Sequence, residues 1–569
     1  MDGKQAHEKG ISRFWLVTMA LPLAAAFVLP NHYYPWSCFH SEALGAAAMA
    51  IPLLWVFLVK PGRFNVYRSS LGVATVLLLA LLQYLFGLIP LWGTFWISAV
   101  YVLGFFLSLH CGWAWERWRA GQCMDYLAIA MLIAAVVSLP IECMQWLGVQ
   151  WSTPLLMQAS NAQRPFANLA QPNLLADLYL LGVLAASWLS SQRNLPAWLA
   201  WLLAALFMVG AALTGSRAAW VNVGVVLIFL GHVNRHTLNW RKIGLAAALV
   251  SLFYALAVLG PQLQAIHQDS VNISSAPQFS TSSANSRLTA WKVLGLASLQ
   301  SPWFGYGWGQ VIKVNFVFAE GMNMERGLFS QSHNLFLDLI LWNGYPLGIL
   351  FSLGLVLWVG KLLRLPKTPG HTHVQAAVLI LFLHSMIEFP VYYTYFLFPA
   401  GMMLGTVQAA LERKPVFTLP RYTGLALAVL GVAVLFVTAR DYFLIERSFY
   451  ALRYESRGYT TELDRTTPRT WALNQMEEHL RVSRSEPSGN LDAAQLAHME
   501  DVVRATPGAY IMYKLALDYG LAGNTEKASF WLQQICEKTS QSLCTEARQK
   551  WQAATEKYIS PPLMAWPLH

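Results

Sequence analysis

Charge is what this chain has least of. Asp, Glu, Lys and Arg make up 12% of its 569 residues and hydrophobic types 56%, where soluble globular proteins carry about 25% charged residues. So little charge cannot cover the surface of several soluble domains, which excludes a soluble globular enzyme; apolar stretches of about 20 residues fit a bilayer instead. Dense basic runs are missing as well. The net charge of +10 sits in short loops between apolar stretches, which is a topology signal rather than a nucleic-acid groove. The six cysteines form no CxxC pair, so neither a zinc nor a dithiol site is indicated, and only Cys536 and Cys544 are placed to bridge. No G-x-S-x-G elbow, Walker loop or H-E-x-x-H occurs.

What is present is a series of apolar runs. After Lys4, Lys9 and Arg13, the run from Phe14 to Pro30 reads as a retained span, since no small-residue cleavage site follows. Twelve more lie near 43–59, 71–89, 92–111, 126–144, 174–190, 198–213, 218–233, 243–259, 344–360, 374–389, 395–411 and 423–439, about 13 spans in all. Alternate connections are basic: Lys60, Arg63 and Arg68, then Arg117 and Arg119, Arg193, Arg235 and Arg241, Lys361 to Lys367, and Arg413 to Arg421. These face the cytoplasm, as does the N-terminus. The expected fold is all-α, polytopic and transmembrane. Residues 1–440 form its membrane core, with a large outer loop over 260–333, and residues 441–569 a helical outer domain. In that tail Tyr513, Leu515, Ala516, Tyr519, Gly523, Ala528, Trp531 and Leu532 are spaced like a tetratricopeptide helix pair; any helical hairpin with a glycine turn fits them too.

Polar side chains near hydrocarbon are costly, and here they gather toward one face. Glu142 and Gln145 end the fifth run; Arg164, Gln171, Asn173 and Asp177 follow; Arg217 closes the turn Thr214-Gly215-Ser216-Arg217; Arg287, His333, Asn334, Asp338, His384 and Glu388 complete the set. Arg164 and Arg217 stand against the topology signal, being basic residues in short outer loops. For Arg217 an interfacial anchor is the alternative, for His384 and Glu388 a structural pair four residues apart, and for His333-Asn334 a helix cap. In the long loop, Arg287, Trp291 and Lys292 begin an amphipathic helix. The glycine-spaced run Pro302 to Gly309 follows, suited to tight turns or close ligand approach.

Four blocks carry a family resemblance: TGSRAAW at 214–220, SRLTAWKVLGLASLQSPWFGYGWG at 286–309, SHNLFLDLILWNGYPLGIL at 332–350 and HSMIEFPVYYTYFLFPAGMMLG at 384–405. They resemble the O-antigen ligase and polymerase superfamily, and within it the bacterial protein O-oligosaccharyltransferases of the PglL type. The stretches at 29–49 and 171–182 resemble that branch too. The resemblance implies an enzyme of the bacterial inner membrane, multi-pass, with its active site and tail periplasmic. It would move a preassembled glycan from undecaprenyl diphosphate to Ser or Thr hydroxyls of pilin or another exported protein, with no cofactor and no metal. The absence of an acidic D-x-D pair in the first outer loops agrees with the last point.

By the same resemblance Arg217 and Arg287 engage the lipid diphosphate and His333 is the essential histidine; Arg164, from its place in a short outer loop, is a further diphosphate candidate. Gln171 and Asn173 match a family motif whose middle residue differs here. Gln145, Asn334, Asp338 and His384 are supporting polar residues. Chemistry agrees: a guanidinium fork stabilises a diphosphate leaving group, and a neutral imidazole can take the proton of an attacking hydroxyl. Direct attack inverts the anomeric carbon, whereas a covalent glycosyl-enzyme needs a carboxylate such as Glu388 or Asp338. The competing readings are ligation to lipid A core, O-antigen polymerisation and, in another class, transport of the lipid-linked sugar, for which a midplane site and repeated halves are expected.

Overall fold

The computed structural model describes residues 2–59, 62–159, 164–234, 239–270, 281–319, 329–366, 368–412, 414–455, 458–459, 466–558 and 563–567. Lys60, Arg235, Lys367 and Arg413, and parts of the long loop (271–280 and 320–328), lie outside them. Each of the thirteen apolar runs lies mostly on helix. Among the described residues eight helices are long and apolar enough to cross a membrane, and Phe14–Val28, Ala197–Leu213 and Arg217–Val233 are shorter apolar helices. The chain is a multi-pass membrane protein. Its spans keep apolar side chains outward, such as Ile228 at 75% and Phe436 at 70% exposure, as lipid contact requires. Pro172–Ser191 is the most enclosed of the eight, with 72% of its apolar window buried, which suits the helix that carries Asn173 and Asp177. One small departure from all-α is an antiparallel ribbon that pairs Phe64–Val66 with Phe417–Leu419.

The chain divides into two compact units. The first comprises Met1–Val76, Tyr101–Ser280 and Gly354–Leu435. Within it, the segment Trp92–Trp118 from Tyr101 onward meets the helix Thr394–Thr406 through glycines. A Cβ on Gly112 would lie 2.0 Å from the Met402 carbonyl oxygen, and one on Gly405 would lie 2.1 Å from that of Leu109. Small residues let membrane helices approach backbone to backbone, and neither position has room for more. Gly112→Val is therefore expected to destabilise the fold by about 3 kcal/mol through overpacking, read as a lower Tm in detergent. Gly231→Ala, whose Cβ would meet nothing within 4 Å, should leave Tm unchanged.

The second unit comprises Leu77–Val100, Thr281–Leu353 and Phe436–His569. Its tail is helical, as expected: Ala509–Leu521 and Thr525–Lys538 pair around Gly523, φ 78°. Leu515, Ala516, Ala528, Trp531 and Leu532 are fully buried in their core. Cys536 and Cys544 are joined in a disulfide, which ties this pair to the helix Gln541–Lys557. The short helix Val311–Phe318 seats on the tail: Lys313 Nζ lies 2.9 Å from Asp501 Oδ1, and the Phe316 and Trp531 rings stack at 5.5 Å.

The run beginning at 344 is a helix of its own: the helical stretch Leu335–Leu363 is broken in two at Gly344, φ 75°, ψ 171°. The break frees carbonyls, and the glycine-spaced run supplies their donors. Tyr306 N–H reaches the Leu341 oxygen at 2.8 Å and Gly307 N–H the Trp342 oxygen at 3.2 Å; Gln83 Nε2 also donates to Trp342 at 2.7 Å. A Cβ on Gly305 would fall 2.4 Å from the Trp342 carbonyl. Gly305 therefore serves a close approach of backbone to backbone, and Gly305, Gly307 and Gly309, at φ 75°, 100° and 74°, make the tight turns expected of this run.

Candidate active site

In the first unit the polar residues form two linked nets. Gln145, at the end of its helix, braces the following loop with both ends of its carboxamide. Its Oε1 accepts from Phe166 N (2.9 Å) and Ala167 N (2.7 Å), while its Nε2 donates to the Met157 and Ala167 oxygens, each at 2.8 Å. Ala167 and Ala170 sit at positive φ, 49° and 61°, a conformation non-glycine residues hold only when neighbours over-determine it. His32 adds a contact to the Asn168 oxygen at 2.8 Å. Burial pushes its imidazole below the usual range, which keeps it neutral.

That loop delivers Arg164. Its Nε donates to the Thr214 carbonyl and its Nη2 to Asn173 Oδ1, both at 2.8 Å, so the guanidinium ties the loop to the turn that precedes Arg217. Asn173 in turn donates through Nδ2 to Glu388 Oε1 at 2.7 Å, and Gln171 Nε2 lies 3.4 Å from Glu388 Oε2. The sequence places these residues simply: Gln171 is the extended N-cap, Pro172 opens the helix, and Asn173 stands one residue inside. Arg217 begins its own helix and is exposed.

His384 and Glu388 are not a pair on one helix face. The helix Pro369–His384 ends at His384, and Glu388 follows in a turn closed by its own N–H on the His384 carbonyl at 2.8 Å. His384 Nδ1 meets Asp177 Oδ2 instead, and Asn222 Nδ2 donates to Asp177 Oδ1 at 3.3 Å. His384 is 0% and Asp177 1% exposed, so a buried hydrogen-bonded pair 207 residues apart in sequence joins the enclosed helix to its neighbour. Asn222 gave no sign in the sequence, because a lone asparagine on an apolar helix has no motif around it.

In the second unit the histidine is clamped. Ser332 is fully buried; its N–H donates to Asp338 Oδ1 at 3.0 Å, and its carbonyl accepts from Trp291 Nε1 at 2.8 Å. His333 follows with φ 56° and is half-buried, its ring 6.3 Å from that of Phe329. Phe329 N–H in turn reaches Asn315 Oδ1 at 3.2 Å. Asn334 caps the next helix, its Oδ1 accepting from Leu337 N at 3.1 Å. The capping role read for this dipeptide thus falls to Asn334. Arg287 lies one turn before Trp291 on the helix Thr281–Leu299. Asp338 is 1% exposed and turned to the chain.

Two family models match the chain. That described as O-antigen ligase covers residues 179–352, and that described as virulence factor membrane-bound polymerase, C-terminal, covers residues 373–555. A general O-oligosaccharyltransferase of Acinetobacter baylyi is 28% identical over 514 residues, 89% of either chain. The chain is thus similar, over most of its length, to O-oligosaccharyltransferases and, over residues 179–352, to the O-antigen ligase family. A ComP-specific O-oligosaccharyltransferase of the same organism is 26% identical over 401 residues, 70% of this chain and 72% of that one. The resemblance carried by the four sequence blocks is thereby borne out, and the chain is an enzyme of the glycosyltransferase class.

Proposed function

We propose that this oligosaccharyltransferase moves a preassembled glycan from undecaprenyl diphosphate to Ser or Thr hydroxyls of pilin or another exported protein, at the periplasmic face of the bacterial inner membrane. The observation that carries the reading is the similarity to a general O-oligosaccharyltransferase across 89% of both chains. The acceptor oxygen attacks the anomeric carbon as its proton passes to His333. The bond from that carbon to the diphosphate breaks, and undecaprenyl diphosphate leaves with the electron pair. Arg217 and Arg287 stabilise the charge that develops on it. Direct, inverting attack is favoured over a covalent intermediate because Asp338 holds Ser332 N–H and Glu388 holds Asn173, so neither carboxylate stands ready as a nucleophile. The test is coexpression with a lipid-linked glycan pathway and candidate pilins, followed by intact mass. Glycan on protein is expected; glycan on lipid A core with bare protein would overturn the reading.

The outward placement of the tail rests on the odd number of spans and is supported by the Cys536–Cys544 bridge, because disulfides persist in oxidising compartments. A reporter active only in the periplasm, fused after His569, is expected to be active. A stable but inactive fusion would put the tail in the cytoplasm.

A further inference from the structure

We propose that Trp291 is a positioning residue for His333, and that the helix carrying it sets Arg287 and His333 on one frame. The proposal rests on the reading of His333 as the base. The carbonyl that Trp291 Nε1 grips at 2.8 Å belongs to the peptide joining Ser332 to His333, while Asp338 holds the other side of Ser332 through its N–H at 3.0 Å. With both sides fixed, the plane of the peptide entering His333 cannot turn, and the side-chain direction at φ 56° follows from it. A histidine in the left-handed region is uncommon and persists only where its surroundings impose it.

The gripping helix is itself immobilised. Tyr306 OH donates to the Ala297 carbonyl at 2.9 Å, and Ser298 Oγ lies 3.3 Å from Tyr345 OH, just past the break in the helix that His333 precedes. Ala290, Val293, Leu294 and Ala297 are fully buried. Residues four apart share a helix face, so Arg287 and Trp291 point the same way from this rigid segment. The span between guanidinium and imidazole is then set by one helical turn and one hydrogen bond. A group that must meet an acceptor hydroxyl while the leaving group is held elsewhere gains from such a frame, because small misplacements of reacting groups are costly in rate.

Trp291→Phe keeps an aromatic ring and removes the N–H. In purified full-length enzyme it is expected to lower kcat about ten- to a hundred-fold, leaving KM for the lipid-linked donor within about two-fold. In a His333→Ala background the same change should cause no further loss, since a residue acting through the imidazole has nothing left to act on. Unchanged kcat in Trp291→Phe, beside an impaired His333→Ala, overturns the positioning role alone. An equal further loss in the His333→Ala background overturns it as well, by showing a general structural effect. Full activity of His333→Ala removes the base assignment and the proposal together. Should Trp291→Phe fold poorly, 3-benzothienylalanine at position 291 keeps the bicyclic shape without the N–H, and the same outcomes apply.

Discussion

Replacing His333 by alanine lowers glycan transfer at least about 10²-fold, the lower end of what a general base contributes, while the protein inserts and folds as before. The ring is only half-buried, and the neighbouring backbone is held by bonds of its own: Ser332 to Asp338 and Trp291, Asn334 to Leu337. Those bonds remain when the imidazole is lost. Alanine tolerates φ 56° poorly, so a modest local relaxation accompanies the loss of the base. Single-turnover transfer to an acceptor peptide, with the folded fraction measured alongside, checks the expectation. Near-normal transfer by a well-folded variant would take His333 out of the mechanism.

Arg217→Lys and Arg287→Lys should each cost about 10²-fold in transfer, as loss of a preorganised donor to a developing anion does. Lysine keeps the charge but not the planar fork that meets two diphosphate oxygens at once. Arg217 is exposed at a helix start and Arg287 half-buried, so neither substitution disturbs a core. If both lysine variants used the donor normally, the diphosphate clamp lies elsewhere. Arg164 is the weaker substitute, because two of its N–H groups already brace Thr214 and Asn173.

Much of the architecture was legible before any coordinates, and for one reason: a bilayer demands long apolar runs, and periodicity along the chain reveals them. The same demand made Asp177, His384 and Glu388 conspicuous. Their pairing was not legible. Four-residue spacing suggested His384 with Glu388, but the helix stops at His384, and the true partner of each is supplied by the helix Pro172–Ser191, more than 200 residues away. Gln145 and Arg164 read as site residues, but not as the braces of a loop with two alanines at positive φ, which their hydrogen bonds make them. Trp291 was noticed only as part of an amphipathic face, since nothing in a sequence says which carbonyl an indole will find.

The eight residues from Val311 to Phe318 have a bearing on how such enzymes can be recombined. They lie far upstream of the tail in the chain but are fastened to it by the Lys313–Asp501 pair and the Phe316–Trp531 stack, and Asn315 between them grips Phe329, the neighbour of the His333 ring. A hybrid cut at residue 440 would match a foreign tail to a native clasp and leave a buried aromatic face without its counterpart. Donor segments should be transplanted as a discontinuous cassette, 311–318 together with 441–569, so that the borrowed tail arrives with the piece of loop that fits it.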